Sequence, residues 1–175
     1  VSKKINSRNY WYSNAVEKLN EDEEFKSYKD FILSLPKESE KETKYQRRLE
    51  QSHIKKYLIG DKKEVECGIC KKYYPVDFIW CSHIKKRSMC TIEEKFDIKN
   101  IAMPMCKFGC DDLYEKKYIY VDNKKVKFNG NKKVNIYIKG LIMRLVNNEL
   151  DSLYYNRDSK KYFDYHKEEC LGKHG

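Results

Sequence analysis

The chain has 175 residues, of which 40% are hydrophobic and 14% aromatic, enough for one domain with a buried core. No run approaches the ~18 to 20 apolar residues of a membrane span, and the opening VSKKINSRNYWYSN lacks a signal peptide's apolar stretch, so we expect a cytoplasmic protein with no membrane partner. The formal charge of +10 suits a polyanionic partner, although a chain rich in Lys, Asn, Ile and Tyr is also what an AT-rich genome produces.

Residues 1–62 predict an N-terminal helical region. Hydrophobic side chains recur at helical spacing from Tyr10 to Leu19 and from Phe25 to Leu35, and Pro36 should end the second of these helices. A third, highly charged helix should follow and end at Gly60.

From Val65 the chain changes to short extended runs and turns. Two runs, Phe78 to Cys81 and Ile101 to Met105, predict strands connected by a polar loop over 85–99. A short helix should then extend from about Asp111 to Lys117.

The last third of the chain predicts a hairpin followed by helices. Hydrophobic alternation on both sides of Asp122 to Lys125 indicates two strands joined by a tight turn. One helix should carry Leu141 to Val146, and Asp158 or Ser159 should cap the final one. These helices make up a predicted C-terminal helical extension over 131–175.

Cysteine spacing is the most specific chemical signal. Cys67 and Cys70 are spaced C-x-x-C, and Cys106 and Cys110 are spaced C-x-x-x-C. Because each short knuckle aims two thiolates at one point, these four residues are predicted to bind a structural Zn²⁺. The total of seven cysteines is odd, which argues for a reducing compartment rather than a secreted disulfide framework. The three remaining thiols, predicted to have no metal role, are those of Cys81, Cys90 and Cys170.

The residues around these knuckles resemble the HNH endonuclease family. CGIC, SHIKKRS, the region of Asn100, CKFGCDDLYE and YIYV follow one another in family order between Glu66 and Phe128. The resemblance implies an α+β fold whose ββα-metal (HNH, treble-clef-like) core contains a structural zinc and spans 63–130 between N-terminal and C-terminal helices. The chain is similar to a subtype with a four-cysteine zinc knuckle and with His-Asn-Asp in place of His-Asn-His.

Three polar residues take their expected roles from this resemblance. His83 resembles the general base that takes a proton from the attacking water. Asn100 resembles the residue whose amide ties the loop together and so orients the histidine. Asp111 stands where the family binds its catalytic cation, and a carboxylate suits Mg²⁺ or Mn²⁺. Taken alone, Asp111 could instead cap the helix that it opens.

The chain departs from the family beside the histidine. Many members have an acidic second metal ligand there, and this chain has Ser82. A hydroxyl binds a divalent cation more weakly than a carboxylate does. The candidates for the missing ligand are Glu94, Asp97 and Asp112.

The basic run Lys85, Lys86 and Arg87 follows His83 and is expected to contact phosphate, although it could be an ordinary solvated surface. We therefore expect a metal-dependent endonuclease acting on DNA, most simply double-stranded DNA, such as a restriction, mobile-element or phage-defence enzyme. A homodimer would allow both strands to be cut, and the chain could also be part of a larger polypeptide. The alternatives are a non-catalytic, zinc-stabilised nucleic-acid-binding module and a protein-interaction zinc domain.

Overall fold

The described part of the chain has a mixed α+β fold with three two-stranded antiparallel sheets and six α-helices, which confirms the predicted fold class in its coarse form. The computed structural model describes residue 30 and residues 44–172, with the backbone alone for 44–50 and for residue 92. Among these residues, no helix is both long enough and apolar enough to cross a membrane.

The chain divides into two compact units, Val1–His53 and Ile54–Gly175, and the sheets all lie in the second unit. The helices predicted from Tyr10 to Leu19 and from Phe25 to Leu35 lie outside the described residues. The division of the remaining chain at residue 130 stays a prediction.

Helices and short strands alternate through the described residues. The helices are α1 (Lys44–Ile59), α2 (Ile92–Phe96), α3 (Ile98–Ile101), α4 (Cys110–Glu115), α5 (Ile136–Met143) and α6 (Lys160–Cys170). The strands are β1 (Glu64–Glu66), β2 (Tyr73–Pro75), β3 (Ile79–His83), β4 (Ala102–Cys106), β5 (Ile119–Asp122) and β6 (Lys125–Phe128). Single 3-10 turns cover Val76–Phe78 and Arg87–Met89.

A tight turn between β1 and β2 carries the first cysteine pair. The Lys71 N–H donates to the Cys67 carbonyl at 2.9 Å, and Lys71 itself has a left-handed φ of 61°. This conformation reverses the chain within four residues, so Cys67 and Cys70 come from one turn.

The central sheet pairs β3 with β4, and these two strands confirm the two predicted extended runs. The register runs from Ile79 opposite Cys106 to His83 opposite Ala102. Every residue of β4 is buried, whereas Trp80 in β3 is exposed. The sheet therefore has one strand in the core and one strand near the surface.

The connection between these strands is not the polar loop predicted over 85–99, and that prediction was wrong. Thr91 accepts a hydrogen bond from the Glu94 N–H at 3.2 Å, while the Glu94 carboxylate accepts from the Thr91 N–H at 2.9 Å. This reciprocal capping box starts α2, and α3 follows directly. The T-x-x-E signature was present in the sequence and outweighs the polar composition of the segment.

Three other local predictions are confirmed, whereas the helix predicted to carry Leu141 to Val146 ends at Met143. α1 ends at Gly60, whose N–H donates to the Lys56 carbonyl at 2.9 Å. β5 and β6 form the predicted hairpin, with Asn123 and Lys124 both at positive φ in its two-residue turn. The predicted helix near Asp111 is α4.

The final helix, α6, is part of the core. Tyr162 and Phe163 are fully buried, and Ser159 is the N-cap residue. An ion pair of 2.7 Å joins Lys167 to Asp122 at the end of β5. The C-terminal segment therefore helps to hold the hairpin and the central sheet in place.

Candidate functional site

Four cysteines form the one cluster of potential metal ligands found among the described residues. Cys67, Cys70, Cys106 and Cys110 come from two turns, and their sulfur atoms all lie within 4.8 Å of one another. The Cys106 N–H donates to Cys67 Sγ at 3.3 Å, and the Tyr74 hydroxyl lies 3.7 Å from Cys70 Sγ. A metal such as zinc could be held here, because the sulfurs are close enough to share one tetrahedral ion and are oriented by neighbouring donors.

The thiols of the cluster compete for protons. A hydrogen bond with Cys106 lowers the pKa of Cys70 and raises the pKa values of Cys67 and Cys110. A hydrogen bond with Cys110 lowers the pKa of Cys106 to about 6. Buried thiolates this close repel one another, and a divalent cation is the species that would let all four ionise together. The donor set therefore fits the predicted structural zinc.

The other three cysteines do not join this cluster. Cys81 is buried in β3, and burial raises its pKa to about 12. Cys90 lies in the segment before α2, with its thiol 3.4 Å from the Lys86 carbonyl. Cys170 is buried at the end of α6, 3.7 Å from Nδ1 of His166, and so belongs to the core.

His83 occupies the last position of β3, and the residue after it is firmly held. The Ile84 N–H donates to the Ile101 carbonyl at 2.7 Å, and the Ile84 carbonyl accepts from the Tyr114 hydroxyl at 3.2 Å. His83 is itself half-buried. The strand end and α4 therefore fix the backbone that carries the imidazole.

Asp111 is joined to β3 by a side-chain hydrogen bond. The Ser82 hydroxyl donates to Asp111 Oδ1, which brings residues 29 positions apart into direct contact. Burial raises the pKa of Asp111, the bond from Ser82 lowers it, and the negative charges of Glu115 and Asp112 raise it further. This carboxylate therefore sits in a negative environment that a cation would relieve.

Asp111 is not the cap of α4. Gly109 holds the N-cap position with a left-handed φ of 119°, and Asp111 lies in the first turn of the helix. Asp111 is therefore not the helix cap, which was the alternative role that the sequence left open. Its side chain instead accepts a hydrogen bond from Ser82.

Asn100 lies in α3, where it is held on both sides. Its Nδ2 donates to Asp97 Oδ1 at 2.7 Å, and its Oδ1 accepts from Asn156 Nδ2 at 3.4 Å. The other oxygen of Asp97 accepts from the Tyr162 hydroxyl at 2.7 Å. No sequence signal could have predicted the contacts from Asn156 and Tyr162, because these two residues lie more than fifty positions away.

The basic run beside His83 is only partly exposed. Lys85 is buried, pairs with Glu94 at 2.7 Å and lies over the Tyr165 ring at 4.5 Å. Arg87 is half-buried, with Nε and Nη2 shielded from solvent, whereas Lys86 is exposed. Of these three side chains, that of Lys86 is therefore the most open to solvent.

The three candidates for a second carboxylate ligand are engaged elsewhere. Glu94 binds Lys85 and caps α2, and Asp97 binds Asn100 and Tyr162. The third candidate, Asp112, is exposed and pairs with Lys116 at 2.9 Å. A cation at Asp111 would therefore take most of its ligands from water and from a bound phosphate, as Mg²⁺ commonly does.

The central strands and α4 thus bring the Ser82 hydroxyl and the Asp111 carboxylate together near the end of β3 that carries His83, whereas Cys106 of the four-cysteine cluster pairs with Ile79 at the other end of that strand. Such a set can hold a cation, move a proton and bind an anion. No family model matches this chain, and no curated protein is significantly similar to it in sequence.

Proposed function

We propose that this protein is a metal-dependent endonuclease that hydrolyses phosphodiester bonds of DNA. The observation that carries the proposal is the hydrogen bond from Ser82 to Asp111. It joins the residue directly before His83 to the first turn of α4, so the carboxylate of Asp111 and the backbone that carries the imidazole lie at the same end of β3. The order of strand, strand and helix around them is the one expected of a ββα-metal site.

In this proposal His83 is the general base. A neutral imidazole can take a proton from a water molecule as that water attacks phosphorus. Asn100 has an indirect role. Its hydrogen bonds to Asp97 and Asn156 fix α3, and the carbonyl of Ile101, the last residue of α3, accepts a hydrogen bond from the Ile84 N–H. The backbone that carries the imidazole is thereby held in place.

Asp111 is the residue proposed to hold Mg²⁺ or Mn²⁺. When bound, the cation would neutralise a phosphate oxygen and stabilise the leaving 3′ oxygen. Asp111 suits this role because its carboxylate is partly desolvated and has Glu115 and Asp112 as negative neighbours. Ser82 orients one of its oxygens.

The four-cysteine cluster would hold this arrangement in shape. Cys106 ends β4 and Cys110 begins α4, directly before Asp111. A zinc ion bound by these residues would fix the angle between strand and helix. With four thiolate ligands it would have no open position for substrate, so the two metals would have separate roles.

Nicking of supercoiled plasmid with Mg²⁺ or Mn²⁺ tests the proposal. We expect open circles that carry 5′-phosphate and 3′-hydroxyl ends, and no product when the divalent cation is omitted. Binding without nicking under either metal would instead favour the zinc-stabilised nucleic-acid-binding module.

Asp111→Asn should remove most of the cleavage activity while the protein folds at least as stably as the wild type. The amide can still accept from Ser82 but carries no charge for a cation, and it removes a carboxylate whose pKa is raised by burial. Partial recovery is expected at high Mn²⁺, which accepts nitrogen and neutral oxygen donors better than Mg²⁺. Initial nicking rates across a metal titration measure both effects.

Asp112→Asn is the matched control, because it removes the same charge from an exposed neighbour that pairs with Lys116. We expect it to cleave at nearly the wild-type rate. Equal activity of the two variants at low Mg²⁺ would contradict the role of Asp111.

Lys86→Ala should lower the salt dependence of DNA binding. Losing one phosphate contact reduces the slope of log K against log salt by about 0.9 for duplex DNA. Lys85→Ala should leave this slope unchanged and instead destabilise the fold by about 1 to 3 kcal/mol, because Glu94 loses its buried partner. Fluorescence anisotropy at several salt concentrations and thermal unfolding separate the two effects; a slope that responds to Lys85 alone would reverse the assignment.

A further inference from the structure

A cavity of about 600 Å³ lies beside the cysteine cluster, between α4 and α5. Cys70, Cys106 and Cys110 form part of its wall. Four basic side chains and one acidic side chain, that of Asp112, line the cavity. The basic lining residues are Lys72, Lys116, Lys133 and Arg144. Lys116 pairs with Asp112, and the other three basic groups still outnumber the two negative charges that a zinc ion with four thiolate ligands would carry.

Exposed aromatic rings lie at or beside this cavity. Phe108 lines the cavity and is 63% exposed, although it lies between the two cysteines of the second knuckle. Its ring centroid is 5.2 Å from that of Phe78 in a stacked arrangement and 5.4 Å from that of Tyr74. Phe78 is also 44% exposed. Scattered exposed aromatics are ordinary, but rings grouped on one surface indicate a binding site.

The aromatic group continues toward the candidate catalytic residues. Trp80 is 43% exposed, and the Lys107 ammonium lies 4.4 Å from the centre of its ring. Trp80 and Ser82 are two residues apart on β3, and so lie on the same face of the strand, about 7 Å apart.

Positive charge together with exposed aromatic rings is the combination that binds unpaired nucleobases. The rings stack on the base faces, and the basic side chains attract the phosphates between them. The cavity volume is ample for one nucleotide turned out of a stack. A protein partner would require acidic groups to match the basic lining, whereas a single nucleotide supplies both the anionic phosphate and the flat ring.

We propose that Phe108 and the cavity beside it form a binding site for an unpaired base of a DNA strand. The scissile phosphate would then lie close by at Asp111, whose two neighbours in the first turn of α4, Cys110 and Asp112, both line the cavity. The nuclease would therefore favour strands with unpaired bases near the cut, such as single-stranded or flapped DNA, over a continuous duplex. This inference rests on the proposed function, since it names the substrate class of that same site.

Binding of a fluorescent oligonucleotide of about 12 thymidines, measured without added Mg²⁺ or Mn²⁺, tests the site. Stacking of one base corresponds to an affinity change of about fivefold to a hundredfold, so Phe108→Ala should weaken binding by that factor. Phe108→Tyr should restore it, because a ring is retained. Tyr137→Ala is the matched control, since Tyr137 is an 81% exposed aromatic residue on α5 outside the cavity lining.

Two further comparisons separate stacking from general charge attraction. An abasic oligonucleotide of the same length should bind the wild type more weakly and should not distinguish it from Phe108→Ala. Lys133→Glu, at an exposed loop position outside the knuckles, should weaken both oligonucleotides equally. It also tests the cavity should Phe108→Ala lose its zinc.

Thymidine binding within twofold of wild type by a zinc-containing Phe108→Ala protein would overturn the inference. If that protein also nicks plasmid normally, the nuclease proposal stands without this site. If the wild type never nicks plasmid but the dependence on Phe108 is found, the base-binding site stands and the nuclease proposal fails.

Discussion

His83→Ala is expected to slow DNA cleavage by about 10² to 10⁴-fold, the usual loss when a general base is removed. DNA affinity, zinc content and thermal stability should change little. The backbone on both sides of this residue is held by other groups, through the Ala102 register and the two bonds of Ile84, so the imidazole is not needed to hold the strand. Single-turnover nicking at saturating protein measures the chemical step directly.

His53→Ala is the matched control, because it removes an imidazole from α1, outside the central strands. We expect its cleavage rate to equal that of the wild type. A folded His83→Ala protein that cleaves at nearly the wild-type rate would rule out the proposed base. Equal losses in both variants would indicate a general defect in folding.

Loss of zinc should have the largest effect on stability. Structural zinc sites contribute apparent binding free energies of about 10 to 16 kcal/mol, comparable with the whole stability of a small domain. Cys106→Ser should therefore unfold or fail to accumulate, because Cys106 ends the fully buried strand β4 and supplies one of the four sulfur ligands. Elemental analysis should find about one zinc per chain, and a strong chelator should lower the unfolding temperature.

Cys90→Ser provides the comparison for this prediction. Its thiol is partly buried near the carbonyls of Lys85 and Lys86 but lies outside the cluster. It should keep its zinc and lose little stability. Protein purified without added metal that contains no zinc, and whose unfolding ignores chelators, would contradict a structural role for the four cysteines.

Features encoded by close neighbours in the chain were predictable. The two cysteine knuckles, the end of α1 at Gly60 and the hairpin turn at Asn123 each depend on residues within about four positions of one another. Short-range geometry of this kind is set by backbone preferences and spacing, which the sequence displays directly. The capping box at Thr91 belongs to the same class and was missed only because the polar composition of its segment was given more weight.

The four-cysteine cluster, the two central strands and the short helix after them could therefore be read from the order of the residues alone. Contacts across long separations could not, because they depend on how the elements pack. Ser82 contacts Asp111 across a separation of 29 residues in the sequence, and Tyr162 contacts Asp97 across a separation of 65 residues. Lys85 is likewise buried and paired with Glu94, and its position in a basic run does not indicate this pairing. These pairings follow from the packing of β3, α4 and α6, to which distant parts of the chain contribute together.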